Sequence, residues 1–416
     1  MRLKLDGDDE GSRRGGQSRA DSELRLADKG ESTAGNFLLL VPIHWIYIYI
    51  HGVPRYDTSR QRTEGARQKE LQKIRAYNEL VRIVNSQRAE RNFSTEALNK
   101  TSELLTTNPE YYTIWNTRRL ILQHQFSMAT SSTDGGNSDD QIRNIIKSDL
   151  QFLFPLLRGY PKCYWIWNHR LWDLEQTTLL LPASVSRSFW QEELALVGKM
   201  LSLDSRNFHG WGYRRQVISA LEELASNDDA KEGKNDSAPA PKSMVKAELD
   251  YTTKMIGTNL SNFSAWHNRT QLILRLLDEQ AASSEERQRM LDNELKLIHR
   301  ALIDPYDQSL WFYHQNLMCT FDPPLASGTM APNLTDAERL KYLENEVEAI
   351  TEMLDGEEDC KWIYQALINC GAIISRVEGG MSTEMKQRIS RWVCELKRLD
   401  PLRQGRWLDL EASLSL

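Results

Sequence analysis

The sequence predicts an all-α chain built from stacked two-helix repeats, on three observations. A Trp followed three residues later by Arg recurs at Trp115/Arg118, Trp167/Arg170, Trp211/Arg214 and Trp266/Arg269; Trp311 is followed by His314 instead, and weaker copies lie at Trp362 (then Gln365) and Trp407 (then Leu410). The seven Trp positions are spaced by 52, 44, 55, 45, 51 and 45 residues, a unit of about 45 residues in the range of helical-hairpin solenoids. Apolar residues before the Trp fall on one helical stripe, clearest in Leu291, Leu295, Ile298, Leu302 and in Leu343, Val347, Ile350, Leu354. A unit that small cannot bury its own apolar face and must stack on its neighbours. The 416 residues therefore read as one array rather than two or three separate cores.

Taken in order, residues 1–36 are polar, rich in Gly, Ser, Arg and Asp, and have no apolar period, so they read as disordered. Residues 37–50 form an apolar run of 14, interrupted by Pro42 and His44, short of the roughly 20 needed to span a bilayer. No basic region directly precedes the run and no small-residue cleavage site follows it. Residues 1–60 are accordingly read as a disordered or non-native extension without stable membrane insertion, and 61–416 as the repeat domain. From Glu64 to Glu90 a charged helix carries Leu71, Ile74, Leu80 and Ile83.

Each unit then reads as helix A, a tight turn and helix B. Pro109, Pro161, Pro305 and Pro401 stand six residues before a Trp, three of them after Asn108, Asp304 or Asp400. That is the pattern of an N-cap followed by Pro at the first helical position, which starts helix B at the Pro. Trp is expected in the core between repeats, and Arg, one turn on, is expected to cap carbonyls or pair with a carboxylate of the adjacent unit. The runs 127–140, 226–243, 283–286 and 322–336 read as surface loops, because the repeat register resumes after each.

A net charge of -6 with pI near 5.9 argues against a general nucleic-acid binder, which needs a cationic surface. Five scattered cysteines, Cys163, Cys319, Cys360, Cys370 and Cys394, have no metal-ligand spacing and suggest reduced thiols in a cytosolic protein. No nucleophile motif, phosphate loop or carboxylate pair is present. The polar residues at the A–B turns carry more information. Lys162 and Tyr164 stand just before Trp167, and Asn207 and His209 just before Trp211. Equivalent positions of adjacent units lie side by side in a solenoid, so the four can converge on one patch suited to a phosphate or diphosphate.

The segments 111–119, 164–170, 207–215 and 262–269 (YYTIWNTRR, YWIWNHR, NFHGWGYRR and NFSAWHNR) resemble the repeats of protein prenyltransferase α subunits, over residues from about 95 to the end. The segment 304–314 (DPYDQSLWFYH), with 51–55 and 62–70, is closest to the Rab geranylgeranyltransferase (type II) α subunits of fungi. The leucine-rich and immunoglobulin-like additions of animal relatives have no counterpart here. The resemblance implies a right-handed superhelical crescent of hairpins wrapped around a β subunit that carries the catalytic zinc and the isoprenoid pocket. It further implies no metal on this chain, a cytoplasmic heterodimer, geranylgeranyl diphosphate and Rab GTPases as substrates, and a Rab escort protein as partner. By the resemblance Lys162 matches the lysine that faces the isoprenoid diphosphate, and Tyr164, Asn207 and His209 match neighbouring residues of the same mouth, with Lys162 and Tyr164 expected to act in catalysis. Two other readings stay open: the α subunit shared by farnesyltransferase and type I geranylgeranyltransferase, and a non-catalytic helical-repeat adaptor.

Overall fold

The computed structural model describes residues 63–131, 138–231 and 243–415, of which the side chains of 227–231 are left aside. The reading of residues 1–60 lies outside the described residues. The described residues form α-helices and short 3-10 turns, with no strand among them. The first helix, α1 (Glu64–Ala89), packs on α2 (Thr95–Thr107). Seven hairpins follow in register: α2 with α3 (Tyr112–Ser131), α4 (Ser138–Gly159) with α5 (Tyr164–Leu180), and α6 (Ala183–Leu203) with α7 (Phe208–Lys231). The array continues with α8 (Val245–Thr258) and α9 (Phe263–Glu279), then α10 (Ser284–Ala301) and α11 (Gln308–Met318). It ends with α12 (Asp336–Glu352) and α13 (Lys361–Val377), then α14 (Thr383–Leu399) and α15 (Gln404–Ser413). The two helices of each hairpin pack on each other, and α3 packs on α4, α5 on α6 and α13 on α14 across unit boundaries. The B helices α3, α5 and α7, and again α9, α11 and α13, touch in succession; one apolar core runs from Val84 to Trp407. The expected helical solenoid is what the residues 63–415 build.

The repeated Trp does more than fill space. In five units the indole Nε1 donates back six residues to a turn carbonyl: Trp115 to Pro109 at 2.9 Å, Trp167 to Pro161 at 2.9 Å, Trp211 to Ser205 at 2.9 Å, Trp266 to Leu260 at 2.8 Å and Trp311 to Pro305 at 2.6 Å. The bond satisfies a carbonyl in the A–B turn and locks the turn to the helix it precedes. It also corrects two expectations. Helix B starts three residues after Pro109, Pro161 and Pro305, not at the Pro. Asn108 and Asp304 instead accept the N–H two residues on, an Asx turn around the Pro, and only Pro401 opens a helical turn, a 3-10 one. In the sixth unit the anchoring side chain is Tyr364, whose hydroxyl donates to the Glu358 carbonyl at 3.0 Å, six residues back. Trp362 occupies the flanking position that Trp165 holds in the second unit, two residues after the N-cap. Tyr364→Phe is expected to lower stability by about 1 kcal/mol in urea unfolding, whereas Trp362→Phe leaves every turn carbonyl satisfied.

Two of the presumed loops are structured. Ser283 begins α10 through a capping box with Glu286. Residues 322–336 bury Ala326, Met330, Ala331 and Leu334, and Asp322 receives two 2.9 Å bonds from Arg376.

The residue three after each anchor forms a ladder of buried ion pairs with helix A of the next unit. Arg118 Nε lies 2.8 Å from Asp149, Arg170 Nε 2.6 Å from Glu193, Arg214 Nε 2.8 Å from Glu248, and Arg269 Nε 2.7 Å from Glu294. His314 replaces the fifth Arg and meets Glu346 at 2.9 Å. The acid stands 18 residues before its own unit's anchor in four units and 17 in the other: Asp149 before Trp167, Glu193 before Trp211, Glu248 before Trp266, Glu294 before Trp311 and Glu346 before Tyr364. Of the two outcomes expected for Arg, pairing across the unit boundary dominates. Leu367 stands where the sixth unit would carry its cation, so the ladder ends there.

Candidate diphosphate-side site

The A–B turn edge of the second and third units brings three of the four expected residues together. Tyr164 is the first residue of α5 and half exposed, and its ring centroid lies 6.1 Å from that of His209, the second residue of α7. Lys162, in the turn before α5, is 43% exposed and holds Asp204 at 3.6 Å. The His209 imidazole is shifted below its ordinary pKa, first by partial burial and further by the Lys162 cation, with Glu110 opposing. His209 is therefore a neutral donor beside an ammonium at neutral pH.

Asn207 does not present a donor to this patch. It is 4% exposed; its Oδ1 caps α7 by accepting the N–H groups of His209 at 3.1 Å and Gly210 at 3.3 Å, and its Nδ2 donates to the Pro161 carbonyl at 2.9 Å. Both ends of the amide are occupied, so Asn207 positions the turn that carries Lys162 rather than binding a ligand itself. The equivalent residue of the second unit, Cys163, sends its thiol toward the Pro109 carbonyl, and burial raises its pKa to about 11.

In the first four units the same edge exposes an aromatic ring at the start of helix B: Tyr112, Tyr164, Phe208 and Phe263. These four rings form a row of exposed apolar surface, and exposed apolar patches are a common mark of interaction surfaces. This feature was not read from the sequence, although its fixed position three residues before Trp115, Trp167, Trp211 and Trp266 made it available.

Comparison with known proteins decides the family. The protein prenyltransferase alpha subunit repeat matches residues 94–125, 146–172, 190–221 and 245–276. The geranylgeranyl transferase type-2 subunit alpha of Candida albicans is 34% identical over 86% of this chain and 96% of its own length, and that of Saccharomyces cerevisiae 34% over 87% and 98%. This chain belongs to the protein prenyltransferase α-subunit family. Its relatives there are type-2 geranylgeranyl transferase α subunits, and the one from Rattus norvegicus is 32% identical over 66% of this chain but only 42% of the rat protein. Candida albicans protein geranylgeranyltransferase-I complexed with GGPP shares the fold, with a TM-score of 0.53 at 18% identity over 90% of this chain and 99% of that one.

Within this α-subunit fold, the one grouping of three metal-ligand side chains among the described residues is Asp149, His169 and Asp173, all buried. Their chemistry does not fit zinc. Asp149 is saturated by Arg118 and by His169 Nε2 at 2.8 Å, while Arg119 Nε donates to His169 Nδ1 at 3.3 Å. The imidazole is thus the neutral Nε2–H tautomer with both nitrogens engaged. Asp173 has no counter-ion in bonding contact. Burial first, and then the Asp149 charge, push its carboxyl well above the usual range, so Asp173 is the neutral partner of an anchored carboxylate. The folded state then holds a proton that the unfolded chain releases above pH 4. Stability therefore falls as pH rises from about 4 toward the folded pKa. Asp173→Asn is expected to remove that decline and to add on the order of 1–3 kcal/mol at pH 7, measured by urea titration at pH 4.5 and 7.5.

Proposed function

We propose that this chain is the α subunit of a Rab geranylgeranyltransferase, acting with a β subunit to move geranylgeranyl from its diphosphate to carboxy-terminal cysteines of Rab GTPases. The reading is carried by the kinship with type-2 α subunits over nearly the whole length of the fungal proteins. The grouping of Lys162, Tyr164 and His209 on the edge with the exposed aromatic row supports it. In this proposal the β subunit docks on that row, with the patch at the mouth of its isoprenoid pocket.

The reaction joins the acceptor sulfur to C1 of the isoprenoid as the C1–O bond breaks and diphosphate leaves. A zinc ion held by the β subunit, as the family implies, would keep the acceptor sulfur as thiolate. What this chain contributes is charge at the leaving group. Lys162 offers an ammonium, half exposed and restrained by Asp204, and Tyr164 and His209 offer an O–H and an N–H, all fixed before charge develops on the bridging oxygen. These groups assist bond breaking only if the diphosphate lies across the turn edge, which Asn207 holds in register with α7.

Rab delivery by an escort protein and a cytosolic setting complete the proposal; no helix of the described residues is long and apolar enough to cross a membrane. Coexpression with a type-2 β subunit and with the β subunit of a farnesyl or type I enzyme tests it. A stoichiometric complex with the type-2 partner that prenylates a Rab only when escort protein is present is expected. Assembly with the other partner and transfer to CaaX peptides would replace the proposal with the shared α-subunit reading.

A further inference from the structure

A groove of about 540 Å³ runs along α7 and α5 from the Tyr164/His209 patch toward the middle of the helices. Its polar side chains are unusual in kind. Tyr164, Asn168, His209, Arg215 and Gln216 can all donate hydrogen bonds, while the Ser219 hydroxyl already donates to Glu223 at 3.2 Å, and no Asp or Glu lines the groove. Asn168 is oriented by Arg119, whose Nη2 donates to its Oδ1 at 2.7 Å, which leaves the amide N–H groups for a ligand. The floor is opened by Gly212: a Cβ placed there would meet Arg215 Nη2 at 3.8 Å, so the guanidinium folds back over the glycine. Gly212 lies three residues after His209, one helical turn or about 5 Å along the axis. Arg215 is exposed, and among the described residues it has no carboxylate or carbonyl partner, unlike Arg118, Arg119, Arg170, Arg214 and Arg269.

We infer that this groove is a second oxyanion subsite, continuous with the Lys162–Tyr164–His209 patch and with Arg215 as its cation. A guanidinium fork among neutral donors suits a phosphate or a carboxylate held through two oxygens. Two such groups come with the reaction proposed above, on which this inference rests: the distal phosphate of the isoprenoid diphosphate and the terminal carboxylate of the acceptor polypeptide. In either case Arg215 binds substrate rather than stabilising the fold.

Arg215→Ala and Arg215→Lys, each assembled with the β subunit, separate the possibilities. The melting temperature is expected to stay that of the wild type, since the side chain is exposed and has no ion-pair partner among the described residues. If the distal phosphate is the ligand, inhibition by inorganic diphosphate weakens about tenfold in Arg215→Ala, with partial recovery in Arg215→Lys. If the carboxylate is the ligand, the KM for acceptor rises about tenfold instead, and amidating the acceptor carboxy terminus reproduces that rise in wild type but adds nothing to the variant. Unchanged diphosphate inhibition and unchanged acceptor KM overturn the subsite while leaving the proposed function intact. A wild-type heterodimer that transfers no prenyl group fails earlier, and overturns the proposed function together with the subsite.

Discussion

Replacing Lys162 by Ala in the assembled heterodimer is expected to slow prenyl transfer by about 10²- to 10³-fold, on the order of 3–4 kcal/mol of lost leaving-group stabilisation. The size follows from where the ammonium stands. It is 43% exposed and restrained only by Asp204 at 3.6 Å, so the free protein spends little to hold it there, and its charge is available when diphosphate forms. Its removal is nearly silent for the fold, because a half-exposed ion pair contributes about 0–1 kcal/mol. The expected pattern is therefore a large fall in the single-turnover rate with unchanged heterodimer assembly and unchanged urea midpoint. Tyr164→Phe is a milder companion, since it removes one neutral donor and keeps the ring packed beside Trp165. A Lys162→Ala heterodimer that transfers at the wild-type rate removes this chain from the chemistry and leaves it a scaffold.

Breaking one rung of the ion-pair ladder is expected to give the reverse signature, a large stability loss. Arg214 pairs with Glu248 through Nε at 2.8 Å and Nη2 at 2.5 Å, with both side chains less than a tenth exposed. The guanidinium also lies 3.6 Å from the Tyr251 ring centroid. Arg214→Met leaves the Glu248 carboxylate buried without its cation, at about 3–5 kcal/mol. The double variant Arg214→Met/Glu248→Leu is expected to recover most of that loss, because the larger part of the penalty is the orphaned charge rather than the pair itself. Urea titrations of the four proteins in a double-mutant cycle check both figures. Equal losses in the single and double variants would falsify the assignment of the cost to the unpaired carboxylate.

These two outcomes separate along a line that is partly visible in the sequence. Trp and Arg at fixed spacing were enough to give the hairpin array, because a side chain that must be buried identically in every unit leaves a periodic trace. The acidic rungs leave one too, 17 or 18 residues before each anchor, and Glu346 joins it once the sixth anchor is recognised as Tyr364. Trp362 drew attention by residue type, whereas the packing selects for a donor that can reach back six residues, a test that a phenol passes. The Pro signal was read one helical turn too early for a similar reason. In the turns of Pro109, Pro161 and Pro305 the residue supplies a carbonyl to an indole rather than a start to a helix.

At the site, Lys162, Tyr164 and His209 were legible from their place at the turns, and Asn207 was legible as a member of the same turns but not in its role. Nothing local reveals that its amide is consumed by the Pro161 carbonyl 46 residues earlier, since that bond depends on how two units stack. The donors farther along α7 were hidden for the opposite reason. Arg215 follows Arg214 directly and looks like its duplicate, although one points into the rung and the other lies over Gly212 in the groove.

The most direct test of the account is a titration of purified type-2 β subunit with this chain, reading the initial rate of geranylgeranyl transfer to a Rab presented by its escort protein. The account predicts no transfer by either subunit alone and a rate that rises to a plateau at one α per β. Transfer by the β subunit that is independent of this chain would contradict it.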